Sequence, residues 1–229
     1  MIRLVHALLV SLLLVNANPT MAGPESHQRH AKLVVLVGAS IGAAWKLPQL
    51  NQRASLPGYE FDYVGVYDFN KSSLIADLLS RSKKPDIVMI KECSTYFPGD
   101  YREHVRQVSA WVDQLRAAGV QPILVTTAPP GEPTGYLGRM KNFIKHVLGR
   151  PTVLDGVTTF NDWLKRYGQQ QGVAVFDLEA ALRRNAEDRW MKPEFDSGDH
   201  VHLNALAYDA VDRAFVTFLS TIPHPSSRQ

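Results

Sequence analysis

The stretch "LVVLVGASIGAAW", Leu33 to Trp45, decides the fold. Lys32 to Val37 is short, rich in β-branched residues and nearly all apolar, the pattern of a strand buried on both faces of a parallel sheet. A helix should follow it. Gly38 can take a sharp turn, Ser40 can cap a helix beginning near Ile41, and Pro48 limits how far that helix runs. Ser40 has two readings at this point. It is a nucleophile if a base reaches it and a third group holds that base; otherwise it is only the cap of the next helix. Both readings predict the same strand, turn and helix.

Outward from this stretch, strands are expected near 32–38, 62–67, 85–91, 121–127 and 172–177, with helical patterns near 71–82, 101–118, 157–170 and 203–221. Such alternation implies a parallel sheet covered by helices on both faces. The helix over 101–118 shows its period in Val105, Val108, Trp111, Val112 and Leu115, which reads as packing. "PDIVMI" before Lys91 and "QPILVTT" before Ala128 are apolar strands that end at polar segments. In open α/β sheets ligands bind at such carboxyl ends, and Ser40 lies at the same edge. The longest interruption, residues 128 to 156, makes Tyr136, Arg139 and Lys145 candidates to face a substrate. The alternative is a solvated basic helix with His146 as an ordinary surface residue.

Near the other end, "FDSGDHVHLNALAYDAV" covers residues 195 to 211. Asp199 and His202 stand three apart, close enough in a turn for the carboxylate to accept from one ring nitrogen while the other points outward. Leu203, Leu206, Val211, Phe215 and Leu219 are expected to carry an apolar face into the sheet and so hold the turn. His200 is the rival base, but it needs a different carboxylate.

These two blocks, Gly38-Ala39-Ser40-Ile41 after the first strand and Asp199-His200-Val201-His202-Leu203-Asn204 before the last helix, together resemble the SGNH hydrolases, also called GDSL esterases. Weaker likenesses lie in "LVTTAPP", 124–130, and in "FNDWLKRYGQQQGVAVFDLEAAL", 160–182, where Trp163 and Leu164 read as core. The resemblance implies a three-layer α/β/α sandwich around a five-stranded parallel sheet of order 2-1-3-4-5. It also implies that Ser40 is the nucleophile, His202 the general base and then acid, and Asp199 the residue that orients the imidazole. The implied reaction is hydrolysis of an ester through an acyl-enzyme, with a short acyl group such as acetyl on a carbohydrate as the expected substrate. Two alternatives stay open: an acyltransferase on a glycan with the same triad, and an inactive glycan-binding protein of this fold. An acyl-enzyme mechanism needs no metal or cofactor, and the Asp and His residues show no compact ligand spacing.

The family's oxyanion hole uses a glycine and an asparagine, which have no obvious counterparts here. Besides the Ser40 amide, the candidate donors are Asn70 in "VGVYDFNKSS", in place of the family glycine unless Gly65 fills that role, and Thr95 in "IKECSTYFPGD", where the family has its asparagine. Cys93 reads as a buried thiol rather than a nucleophile, having no histidine near it in sequence. Lys91 and Glu92 read as a local ion pair at the strand end.

The 25 Lys and Arg against 22 Asp and Glu give a net charge of +3, too mild and too evenly spread for nucleic acid. Arg3, an apolar run from Leu4 to Val15 and the segment "NANPTMAG" follow signal-peptide grammar, with cleavage expected after Ala22 or, second, after Ala17. The run falls short of the roughly 20 residues that a spanning helix needs. The expected organisation is a signal peptide over 1–22, a flexible lead-in over 23–31 with solvated His27 and His30, a domain over 32–222 and a tail over 223–229. The product is expected to be an exported monomer, periplasmic or secreted. Cys93 is the sole cysteine, so no internal disulfide forms.

Overall fold

β1 (Lys32–Gly38) runs through the interior of a five-stranded parallel sheet, between β2 (Tyr59–Gly65) and β3 (Ile87–Lys91), with β4 (Gln121–Val125) and β5 (Ala174–Phe176) beyond. This computed structural model describes residues 31–222, so the expected signal peptide, its cleavage sites, most of the lead-in and the tail lie outside the described residues. The strand order is β2-β1-β3-β4-β5, as the family resemblance implies.

Period-two alternation divides each strand between two cores. Val34 and Leu36 pack with α1 (Ser40–Trp45), α2 (Leu50–Arg53), α7 (Leu178–Leu182) and α8 (Ala205–Thr221), whereas Val35 and Val37 pack with α3 (Ser72–Ser80), α4 (Tyr101–Ala117) and α6 (Val153–Gln171). Both faces of β1 are therefore dry, which is why its sequence is a continuous apolar run rather than an alternating one. The remaining helix, α5 (Tyr136–Val147), lies in the long segment after β4.

Several local expectations shift. β2 begins at Tyr59, three residues before the expected start, and pairs in register from Lys32↔Tyr59 to Gly38↔Gly65. α6 starts at Val153, because Thr152 and Asp155 form a capping box ahead of it. On α4 the buried face takes in His104, stacked on Phe69 with ring centroids 3.8 Å apart, while Val105 is only half-buried. On α8, Leu206 is half exposed and Ala207 takes its place, so that Ala207, Val211, Phe215 and Leu219 follow one stripe at intervals of four, with Leu203 packed just ahead of the helix. Leu164 is core, and Trp163 is half-buried against Phe160 and Tyr167. Among the described residues no helix is long and apolar enough to cross a membrane.

The order places a topological switch between β1 and β3, where the chain leaves neighbouring strands in opposite directions along the sheet. At such a point the loops after the two strands diverge and leave a crevice. Ser40 follows β1, and the Cys93–Tyr96 segment follows β3.

Candidate active site

Ser40 does not cap its helix. α1 begins at Ser40 itself, with Ala39 in the capping position, and no side chain satisfies the helix start. Gly38 pairs with Gly65 as the last residue of β1 and is not in the left-handed region. The turn is instead fixed from outside: the Tyr63 hydroxyl donates to the carbonyl of Ala39 at 3.1 Å, with Gly38 O at 3.3 Å, and Tyr208 Oη approaches Ile41 O at 3.4 Å. A Cβ on Gly65 would lie 2.0 Å from the Tyr63 hydroxyl, so that glycine makes room for the clamp. Sequence reasoning missed Tyr63, because nothing local marks a strand tyrosine as the support of a turn 24 residues earlier.

The Ser40 hydroxyl, freed from capping, lies 3.0 Å from His202 Nε2. His202 Nδ1 is 2.5 Å from Asp199 Oδ2. The other oxygen, Asp199 Oδ1, accepts the amides of Val201 at 2.9 Å and His202 at 2.7 Å and the Ser197 hydroxyl at 3.2 Å. A carboxylate only accepts, so Nδ1 carries the hydrogen and Nε2 is left to accept from the serine. The hydrogen bond from the His202 ring, followed by those two amides, holds the Asp199 carboxyl well below the usual carboxylate range. The turn itself is anchored: Asn204 accepts from Ala207 N at 3.1 Å as the cap of α8, and its amide donates to Glu194 O and Asp196 O at 2.8 and 3.2 Å.

Ser40 and His202 open into a cavity of about 450 Å³ that Tyr67, Cys93, Thr95, Tyr96 and Val201 also line. A larger depression of about 610 Å³ lies at the amino-terminal end of the strands, around Lys32, Asp86 and Gln121, and holds no nucleophile beside a base. Of the two side-chain candidates for the oxyanion, the structure brings one to Ser40. Thr95 faces the cavity, with its hydroxyl 3.2 Å from Cys93 Sγ. Asn70 does not line it; its Oδ1 accepts Ser72 N at 3.0 Å in a turn ahead of α3. Gly65 is accounted for by the Tyr63 clamp.

Behind this wall, Lys91 and Glu92 do not form the expected pair. Glu92 pairs with Lys71, both fully buried, and Lys91 Nζ donates to the backbone carbonyl of Glu92 at 2.9 Å. Lys71 also donates to Asp68 O and Phe69 O, each at 3.1 Å. Burial pushes the Glu92 carboxyl up to about 7, against the pull of Lys71, and pulls the Lys91 ammonium down to about 8. Cys93 is buried, as expected of an inert thiol.

The segment after β4 meets the site differently from the expectation. Tyr136 is exposed and Lys145 half-exposed, neither lining these cavities, and the side chains of Arg139 and His146 lie outside the described residues. Its contribution comes from Pro130, Gly131, Pro133 and Asn142, which wall a second cavity shared with Thr95 and Val201.

No family model matches the chain, and no curated protein matches it in sequence. Solved structures do match. A GDSL-like lipase from Bacteroides thetaiotaomicron superposes with a TM-score of 0.60 at 13% identity, covering 83% of this chain and 89% of that one. The fold is that of the SGNH hydrolases. A member of the lipolytic G-D-S-L family from Veillonella parvula superposes on the same SGNH-type fold with a TM-score of 0.61 at 13% identity, over 84% of this chain and 100% of that one. An acetylxylan esterase from Geobacillus stearothermophilus, a catalytic mutant, gives 0.59 at 14% identity, over 84% and 96% of the two chains.

Proposed function

We propose that the protein is an SGNH-type ester hydrolase that works through an acyl-enzyme on Ser40. The observation that carries this reading is the unbroken relay from Asp199 through His202 to Ser40, at the carboxyl edge of the sheet and open to a cavity. His202 Nε2 takes the serine proton as Oγ attacks the ester carbonyl, then delivers it to the departing alcohol oxygen; in the second half-reaction the same nitrogen takes a proton from water. Asp199 keeps the ring in the tautomer that can do this. The oxyanion would meet the Ser40 amide and the Thr95 hydroxyl.

The substrate is a short acyl ester, such as acetyl, on a carbohydrate; the acetylxylan esterase among the structural neighbours supports this class. The protein is exported, on the strength of Arg3, the apolar run Leu4–Val15 and the small residues before Gly23. Labelling with a fluorophosphonate and mapping the adduct by mass tests the nucleophile: Ser40 should carry it, and Ser40→Ala should not label. An adduct elsewhere, or equal labelling of the variant, refutes the assignment.

A further inference from the structure

Beside the Asp199–His202 pair stands a second pair of the same type. His200 Nδ1 lies 2.8 Å from Asp196 Oδ2, while Asp196 Oδ1 accepts the amides of Gly198 at 2.8 Å and His200 at 3.0 Å. The carboxylate that His200 lacked in the sequence is thus supplied four residues earlier. By the same reasoning as for His202, Nδ1 bears the hydrogen and Nε2 is an acceptor; no hydrogen bond to it is present among the described residues. The arrangement is held at a cost. His200 has φ of 61°, in the left-handed region that a bulky residue rarely occupies. Gly131 completes the support: its amide donates to His200 O at 2.8 Å, and a Cβ there would lie 2.6 Å from Asp196 Oδ2 and 2.9 Å from His200 Cα.

His200 lines the second cavity, of about 190 Å³, with Trp190, Pro130, Val153 and Leu154 as its apolar wall and Ser94, Asn142 and Thr152 as further polar groups; it also borders a cavity of about 220 Å³ with Asp196, Glu132 and Arg184. That volume is well below the roughly 300 Å³ at which pockets for drug-sized ligands begin, so it suits a single ring rather than a long chain. Thr95 and Val201 line both cavities, which makes them neighbours. The side of the ester is set by chemistry. His202 must protonate the leaving oxygen, so the alcohol half lies on its side, and His200 and Val201 are the two residues that precede it.

We infer that this second cavity is the subsite for the alcohol half of the ester, a single sugar ring, and that His200 is its positioning residue, accepting a hydrogen bond from a ring hydroxyl through Nε2. This rests on the hydrolase reading of Ser40. A cavity lined by a histidine with an acceptor nitrogen and by an indole and apolar side chains matches the two characters of a sugar, hydroxyls at its edge and C–H groups on its face. Glycine would sit at this φ without strain but offers no acceptor.

The test uses His200→Gly, which fits a φ of 61° without strain and so should fold. The probes are methyl mono-O-acetyl glycosides of glucose, galactose, mannose and xylose, with ethyl acetate as the ester that has no ring. Hydrolysis is followed by pH-stat, and binding of the same glycosides to the Ser40→Ala protein by calorimetry, with and without His200→Gly. The expected result is that kcat/KM for the best glycoside, relative to that for ethyl acetate, falls roughly three- to tenfold, chiefly through KM, and that its Kd rises by a similar factor. Equal changes for both esters, or no binding of any glycoside to Ser40→Ala, overturn the subsite while leaving the hydrolase reading standing. If the wild type hydrolyses no ester, yet Ser40→Ala binds a glycoside that the His200→Gly form binds more weakly, the hydrolase reading falls and the cavity is a sugar site rather than an ester subsite.

Discussion

Replacing Lys71 by methionine removes the ammonium that pairs with Glu92, both side chains being fully buried. The Glu92 carboxyl is raised by burial from its ordinary 4.5 to about 7 in the folded protein. Its contribution to stability is therefore fully present below pH 4.5 and lost as pH rises through about 7, a loss of about 3 kcal/mol. In Lys71→Met the downward pull of the cation is gone, so the folded carboxyl holds its proton more tightly and the loss keeps growing above pH 7. At pH 5 the carboxyl is neutral in both proteins, and methionine fills much the same volume, so the variant should lie within about 1 kcal/mol of wild type. At pH 8.5 the variant must still hold that proton in the fold, about 1.5 pH units above the wild-type value of about 7, so it should lie up to about 2 kcal/mol below wild type. Urea unfolding followed by tryptophan fluorescence at the two pH values measures both. The double variant Lys71→Met with Glu92→Leu should show little pH dependence from this site. A penalty that is the same at pH 5 and 8.5 would refute the reasoning, since it would mean that Glu92 does not titrate in this interval.

Thr95→Val should lower kcat by about 10² to 10³ with little change in KM if its hydroxyl binds the oxyanion, and wild-type kcat would assign that role to backbone amides alone. Asn70→Ala should leave kcat near wild type and lower stability by about 1 kcal/mol through the lost turn ahead of α3, read by thermal melting. Asp199→Asn should reduce kcat by about 10⁴, because an amide can hold the imidazole in the wrong tautomer, while the melting temperature moves little; a rate close to wild type would remove Asp199 from the relay. Tyr63→Phe should leave β2 intact yet slow acylation, since the turn bearing Ser40 loses its outside support; an unaltered burst rate would show that the clamp is not needed.

The elements that could be read from the sequence are those whose signal is local. β1 announces itself because both faces are buried, and Asp199 and His202 stand out because a turn of three residues brings them together. β2 carries a weaker signal: "GYEFDYVGV" alternates from Tyr59 onward, but Tyr59, Phe61 and Tyr63 on one face are less conspicuous than the valines that follow. Ser40 as a cap is the prior for a serine at that position, and only a partner 162 residues away decides against it. The Lys71–Glu92 pair and the Tyr63 clamp join distant segments and leave no spacing to recognise. Asp196 and His200 are four apart, as on a helix, yet no helix joins them; the left-handed backbone at His200 is what turns its ring back.

The distance along the chain between Ser40 and His202 also has a meaning in time. Every strand can be paired, and the core under α3, α4 and α6 formed, while the segment that bears the base is still undocked, because that segment is held by Leu203, Asn204 and the stripe of α8 rather than by the sheet ladder, and α8 contributes only to the other core. The nucleophile then has a surface but no base. On the hydrolase reading, competence arrives only when the segment from Asp199 to Thr221, which bears His202 and α8, has docked. The same dependence runs in reverse: loss of α8 from its face of the sheet would part His202 from Ser40.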